Sequence, residues 1–153
     1  MYFSLGLLYI AAVLENARHQ VKIADLRAMP KLSSSALEES VVAESFLHVV
    51  LAEADFYGIT ATSSLEIADA KAISQTLKEL HPKAVTIVGG AHASIMPEDC
   101  TKDFDVVVVG EGEKAILDVV EYGARGIVQG DFIKDLDALP YPARHLLPEK
   151  AVF

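Results

Sequence analysis

The chain has 153 residues, enough for one domain with a hydrophobic core and short for two. Apolar residues make up 52% and charged residues 23%, a composition that excludes a disordered tail or linker. The formal net charge of −9 argues against an electrostatically driven nucleic-acid binder, because phosphate binding requires clustered Lys and Arg. Cys100 is the single cysteine, so this chain alone forms no internal disulfide and no cysteine-held zinc or iron–sulfur site.

The first fourteen residues are almost wholly apolar, but the run is too short to span a bilayer. It also lacks the basic start and the small-residue cleavage site of a signal peptide. Its dense apolar character is typical of a helix that is buried on most sides. We therefore expect a cytoplasmic protein that does not bind membranes.

Short apolar runs alternate with helical stretches, as in βαβ units around a parallel sheet. The first half predicts a helix over residues 5–17, a strand over 21–25, a helix from 35 to about 53, and a strand over 55–61. In the second half, Ser63 and Glu66 form a capping box that predicts the start of a helix, and Pro82 ends this helix. Strands over 84–88 and 105–109 and a helix over 113–122 follow. A hairpin over 126–133 and an extended linker over 135–148 complete the prediction.

This order predicts an α/β fold with three layers, a doubly wound parallel sheet covered by helices on both faces. A fold of this kind opens with a central strand, and residues 1–3 are too few to form it. We therefore expect the sheet to lack its first strand. A partner chain, a swapped segment, a second copy in a homo-oligomer or a rearranged strand order would then cover the exposed edge.

Three predicted loops follow strand ends, where open parallel sheets bind their ligands. Residues 60–65 are rich in hydroxyl groups, residues 89–94 begin with two glycines, and residues 110–113 contain two more. Adjacent glycines leave room for a planar ligand against the backbone. Two structural alternatives stay open: Ser63 caps its helix, and the pair Gly89 and Gly90 only turns the chain.

Several motifs occur in one order along the chain. They are SLGLLYIAAVLE from Ser4, SSL from Ser63, VGGAHAS from Val88 with Pro97 and Glu98 behind it, VGEGE from Val109, and DLDALP from Asp135 with Pro142, Ala143 and Arg144 behind it. This series resembles the cobalamin-binding N-terminal domain of B12-dependent radical S-adenosylmethionine enzymes. The family's corresponding patterns are PLGLLYLAAxLE, Ser-x-Leu with Gly-Gly, GGPHAS with PE, GEGE and DLDxLPxPAR.

The resemblance implies a flavodoxin-like or Rossmann-like B12-binding domain over residues 1–134 and a linker over 135–153 toward a radical S-adenosylmethionine barrel that this chain lacks. It implies cobalamin as cofactor, with the nucleotide tail beside the serine loop and the two glycines, and the corrin near the later loops. The implied cofactor-binding residues are Thr60, Ala61, Thr62, Ser63, Ser64, Gly89, Gly90, Ala91, His92, Gly110, Glu111 and Gly112.

Two departures limit the implied chemistry. The motif Asp-x-His-x-x-Gly, whose histidine ligates cobalt in the methionine-synthase type, is absent, so cobalamin is expected to bind base-off without an assured protein ligand. The motif Cys-x-x-x-Cys-x-x-Cys is also absent, so the [4Fe–4S] cluster and S-adenosylmethionine belong to the barrel, in cis or in trans. The chain holds no complete active site and is not catalytic alone.

The remaining reactive side chains favour structural roles. His92 is expected to hydrogen-bond backbone rather than to ligate cobalt. Glu111 is expected to shape its loop and Glu113 to start a helix, in place of an acid–base pair. Cys100 follows two acidic residues, which raise the pKa of a thiol and argue against a nucleophile.

Two other functions stay open. The first is a truncated domain that binds no cofactor and serves as an interaction or structural remnant, and a Gly90→Val change is expected to separate it from a cobalamin binder. The second is a flavin or nucleotide binder, which the lack of a phosphate-type glycine-rich loop disfavours.

Overall fold

The computed structural model describes residues 4–24 and 52–147. The helices and strands of this part are α1 (Leu5–Asn16), β1 (Phe56–Thr60), α2 (Glu66–Leu80), β2 (Val85–Gly89), α3 (Ala91–Ile95), β3 (Val106–Gly110), α4 (Gly112–Tyr122) and β4 (Gly126–Gly130). Short 3-10 turns lie at Pro97–Asp99, Leu136–Ala138 and Arg144–Leu146. Within these two segments, no helix is both long and apolar enough to cross a membrane.

The four described strands form one parallel sheet in the order β1-β2-β3-β4. Thr60 at the end of β1 lies opposite Gly89 at the end of β2, and Gly110 of β3 lies opposite Gly130 of β4. Parallel neighbours need a crossover connection, which α2, α3 and α4 provide in turn. All four strands therefore end at the same edge of the sheet, and the predicted parallel α/β sheet is confirmed.

Helices cover both faces of the sheet and give three layers. The valines of β3 show the alternation, since Val107 packs with residues of α2 and α3, whereas Val106 and Val108 pack with residues of α1 and α4. All three valines are at most 5% exposed. A strand that is apolar on both faces requires cover on both sides, so this run determines the layered architecture.

The predicted hairpin over residues 126–133 is wrong. Gly126–Gly130 forms the single strand β4, which pairs in parallel with β3. The chain then continues to Ile133, which is buried and whose N–H donates to the carboxylate of Glu111. The short apolar run therefore pairs with β3 rather than with a return strand of its own.

The predicted strand over residues 21–25 is wrong where it is described. Residues 21–24 belong to no strand, and Val21 and Ile23 instead pack against a small cluster formed by α1 and Ala143. These two apolar side chains are therefore partly buried against a helix and not within the sheet. Almost all of the predicted helix over 35–53 lies outside the described residues, as do residues 1–3.

The predicted extended linker over residues 135–148 is also wrong in part. Its described portion contains two 3-10 turns, and its second half lies on α1. The N–H of Ala143 donates to the carbonyl oxygen of Leu8 at 3.0 Å, and Ala143 is only 2% exposed. His145 Nε2 lies 3.0 Å from Glu15 Oε1 at the other end of the same helix. This segment is therefore packed against the domain.

Candidate functional site

Three loops lie side by side at the carboxyl edge of the sheet. They are loop 1 (residues 60–65), loop 2 (residues 89–94) and loop 3 (residues 110–113). The N–H of Ala61 donates to the carbonyl oxygen of Gly89 at 2.9 Å, and the N–H of His92 donates to the carbonyl oxygen of Ala61 at 3.3 Å. Loops 1 and 2 therefore form one connected surface.

Ser94 joins loop 2 to loop 3. Its hydroxyl donates to the carbonyl oxygen of Gly90 at 3.0 Å and accepts a hydrogen bond from the N–H of Gly110, also at 3.0 Å. Sequence analysis placed Ser94 in a motif but gave it no contact. The only local signal was its position four residues after Gly90, the spacing that lets a helical serine reach back to a carbonyl oxygen.

The backbone requires glycine at only one of the two adjacent positions. Gly90 has φ +111° and ψ −174°, a conformation that is essentially limited to glycine, and a methyl group there would lie 2.5 Å from the carbonyl oxygen of Ala61. At Gly89 a methyl group would meet Val108 Cβ at 3.8 Å, an ordinary contact. The structural alternative, in which glycine is needed only to turn the chain, therefore accounts for Gly90. A Gly90→Val change would strain the loop with or without a ligand, so it does not separate a cobalamin binder from a remnant.

The hydroxyl groups of loop 1 are not equivalent. The hydroxyl and the N–H of Thr62 both donate to Glu66 Oε2, at 2.6 and 2.7 Å. Ser63 Oγ accepts a long hydrogen bond of 3.4 Å from the N–H of Glu66. The predicted contact between Ser63 and Glu66 is thus present, and the Glu66 carboxylate also binds Thr62. Among the described contacts, the hydroxyl hydrogens of Ser63 and Thr60 have no acceptor.

His92 lies in α3 and bridges two side chains. Its Nδ1 lies 3.2 Å from Ser64 Oγ, and its Nε2 lies 3.2 Å from Asp99 Oδ2. Lys71 Nζ lies 3.1 Å from the other oxygen of Asp99 and 3.4 Å from Asp103 Oδ2. Hydrogen bonds from Lys71 and then His92 hold the pKa of the Asp99 carboxyl below its usual range. The expectation of a histidine ring bonded to backbone is wrong, and both ring nitrogens are engaged.

No sequence pattern indicates this row of side chains. Ser64 and His92 are 28 positions apart, and Asp99 follows His92 by 7, so no short motif contains all three. The serine contacts Nδ1 and the carboxylate contacts Nε2, the reverse of the arrangement in chymotrypsin-like Ser-His-Asp triads. We therefore interpret the row as a positioning network between loop 1 and α3.

Loop 3 has the structural roles that the sequence predicted. The carboxylate of Glu111 accepts a hydrogen bond from the N–H of Ile133, and Glu113 lies in the first turn of α4, where the helix dipole favours its charge. Gly130, which no motif singles out, also contributes, because a methyl group there would overlap the carbonyl group of Glu111. The end of β4 thus packs directly against loop 3.

Cys100 is fully buried, and burial, followed by the charge of Asp99, raises the pKa of its thiol. The prediction of a raised pKa is confirmed, with burial as the larger cause. In residues 4–24 and 52–147, no three His, Cys, Asp or Glu side chains are grouped so that they could hold a metal ion.

Large apolar side chains follow the same strand ends. Leu65 after β1 is 87% exposed, Ile95 after β2 is 78% exposed, and Phe132 after β4 is 76% exposed. Isolated exposed apolar residues are common on protein surfaces. Leu65 ends loop 1 and Phe132 lies two residues after β4, so the edge where parallel sheets bind ligands offers apolar surface beside hydroxyl groups.

Comparisons with known proteins identify the family of this chain. The model of the B12 binding domain family matches residues 2–120. Cytidylyl-2-hydroxyethylphosphonate methyltransferase of Streptomyces wedmorensis is 32% identical over 128 residues, and the match covers 75% of this chain and 23% of that protein. Anaerobic magnesium-protoporphyrin IX monomethyl ester cyclase of Rubrivivax gelatinosus is 34% identical over 84 residues, and the match covers 53% of this chain and 14% of that protein. The chain thus spans less than a quarter of either relative.

A solved structure supports the fold. The N-terminal domain of a hypothetical protein of Thermotoga maritima superposes with a TM-score of 0.56 over 85% of this chain and 94% of that chain, at 19% identity. At this identity the likeness concerns the fold alone, which is of the flavodoxin-like α/β type. Because the family model covers more than half of the sequence, the chain belongs to the B12-binding domain family, as its motifs predicted.

Proposed function

We propose that this chain binds cobalamin at the carboxyl edge of its sheet, as the cofactor-binding module of a B12-dependent radical S-adenosylmethionine enzyme. Family membership supports the cofactor, and the names of a methyltransferase and a cyclase among the relatives support these two reaction types. The barrel with its [4Fe–4S] cluster would lie elsewhere in the protein or on another chain. The module is not catalytic alone.

The proposal depends chiefly on the hydroxyl hydrogen of Ser63, for which the described contacts include no acceptor. Thr62 donates its hydroxyl hydrogen to Glu66, and the Ser64 hydroxyl is engaged with His92. Ser63 and Thr60 therefore keep the hydroxyl hydrogens that the described contacts leave unused. The phosphate and ring nitrogens of the cobalamin tail are acceptors, so a loop with such donors fits them.

Exposed apolar side chains and the hydrogen bonds of His92 also support cobalamin as the ligand. The exposed side chains of Leu65, Ile95 and Phe132 offer apolar surface to the broad corrin ring. His92 would have to break a hydrogen bond to ligate cobalt, which supports base-off binding without a histidine from this loop. Bound cobalamin would supply the cobalt chemistry, while these residues bind and orient it.

Titration with hydroxocobalamin tests the proposal. We expect the corrin absorption bands to shift and the cofactor to elute with the protein on gel filtration. Ser63→Ala should weaken binding by about three- to tenfold, the usual effect of one hydrogen bond. Thr76→Ala is the matched control, because the Thr76 hydroxyl bonds the carbonyl oxygen of Ala72 within α2. A wild-type chain that shows neither a spectral shift nor co-elution would refute the proposal.

A second candidate is a domain that folds but binds no cofactor, a remnant that interacts with other chains. One observation favours it, because the close approach of the Ala61 carbonyl oxygen accounts for the glycine at position 90 without any ligand. The same titration decides between the two. Gel filtration of the ligand-free chain also tests the predicted homo-oligomer, which should elute as a dimer or larger.

A further inference from the structure

A row of four side chains runs from α2 to loop 1, in the order Lys71, Asp99, His92 and Ser64. An ionised carboxylate has only acceptor atoms, so the bond between Asp99 and His92 requires a hydrogen on His92 Nε2. Lys71 holds the other oxygen of Asp99 and also contacts Asp103. The tautomer of the neutral ring follows from its partner: Nε2 donates, and Nδ1 accepts.

The Ser64 hydroxyl then has two hydrogen-bonding states. When His92 is neutral, the Ser64 hydroxyl donates to Nδ1, and only its lone pairs face outward. When His92 is protonated, Nδ1 donates to Ser64 Oγ, and the hydroxyl hydrogen is free to point away from the protein. His92 is only 9% exposed, so water does not readily replace either partner, whereas Ser64 is exposed and accessible to a ligand.

We propose that His92 is a positioning residue that decides whether Ser64 offers a bound ligand a hydrogen-bond donor. An acceptor group, such as the phosphate or ring nitrogen of the cobalamin tail, is then held more tightly by the protonated state. The charged groups along this row are Asp99, Lys71 and Asp103, and the backbone N–H of His92 contacts the carbonyl oxygen of Ala61. This inference rests on the proposed function and adds a pH dependence to the same site.

The affinity for methylcobalamin, measured in the dark from about pH 8 to pH 5.5, tests the proposal. We expect binding to tighten by about three- to tenfold toward low pH. Ser64→Ala should lose most of this dependence, and methylcobinamide, which has no nucleotide tail, should show little of it. His145→Gln is the matched control, since His145 is exposed and pairs with Glu15 on α1; it should keep the wild-type profile.

A measurement on the ligand-free protein tests the row itself. Nitrogen-15 chemical shifts of the His92 ring should show the Nε2–H tautomer at high pH, and Asp99→Asn should reduce this preference. Because binding and protonation are linked, bound methylcobalamin should also raise the protonated fraction of His92 at a fixed pH.

The outcomes separate the two proposals. An Nδ1–H tautomer, or a Ser64→Ala variant with the full wild-type pH dependence, overturns the role of His92. Binding that does not depend on pH overturns it as well and leaves the proposed function intact. Absence of binding at every pH overturns the proposed function, and the ligand part of this inference fails with it.

Discussion

Replacement of Gly90 by alanine should destabilise the fold far more than the same change at Gly89. The two glycines are neighbours, lie at the same strand end and lose the same single hydrogen atom. Their surroundings differ, because the methyl group at Gly90 would lie 2.5 Å from the Ala61 carbonyl oxygen, whereas the methyl group at Gly89 would meet Val108 Cβ at 3.8 Å. The pair therefore isolates the close approach of loops 1 and 2.

The magnitude follows from two contributions. A residue with a side chain in the conformation of Gly90 costs about 1 to 3 kcal/mol. Relief of the contact would move loop 1 and weaken two backbone hydrogen bonds, from Ala61 N–H to Gly89 and from His92 N–H to Ala61, each worth about 0.5 to 1.5 kcal/mol. We expect a loss of about 2 to 6 kcal/mol for Gly90→Ala and a change within about 1 kcal/mol for Gly89→Ala.

Urea unfolding followed by circular dichroism measures this difference. The unfolding midpoint of Gly90→Ala should fall clearly below that of the wild type, and Gly89→Ala should stay close to it. Equal free energies of unfolding for the two variants would show that the contact between Gly90 and Ala61 does not constrain the loop. The structural explanation of the glycine pair would then be wrong.

Two further predictions concern other parts of the fold. Asp105 accepts hydrogen bonds from the N–H and hydroxyl of Thr86 and pairs with Lys78, and although burial raises the pKa of its carboxyl, these partners outweigh burial and lower that pKa. The stabilisation by ionised Asp105 is therefore present above about pH 3.9 and is lost as the pH falls through the lower pKa of the folded state. Asp105→Asn should lack this acid dependence and should lower the free energy of unfolding, measured in urea at pH 7, by about 1 kcal/mol. A wild-type acid dependence in that variant would contradict this assignment. Ala143→Arg should detach residues 142–147 from α1 and speed their hydrogen–deuterium exchange by about tenfold, while peptides of β3 exchange as in the wild type. Unchanged exchange would mean that the contact with Leu8 does not hold this segment.

The sequence predicted the elements whose signal is local. The strand predicted over residues 105–109 agrees with β3 within one residue, and its valines pack on both faces of the sheet. The strand predicted over residues 55–61 and the helix ended by Pro82 agree with β1 and α2 within one or two residues. Apolar periodicity and helix-ending residues act over a few positions, so one sequence is enough to locate them.

The errors occurred where a remote partner decides the outcome. The apolar run of β4 suits a hairpin and a parallel strand equally well, and the edge of β3 determines which one forms. Residues 21–24 suit a strand, yet Val21 and Ile23 are buried by α1 and Ala143.

By itself, the sequence determined the layered α/β architecture, the family and the three loops that follow the strand ends, because these depend on local patterns and ordered motifs. Tertiary structure alone decided which loop groups are free to meet a ligand. Ser64, His92 and Asp99 come together only because parallel strands end at one edge in a particular register. Hydrogen bonds act over about 3 Å, a distance that spacing along the chain does not encode.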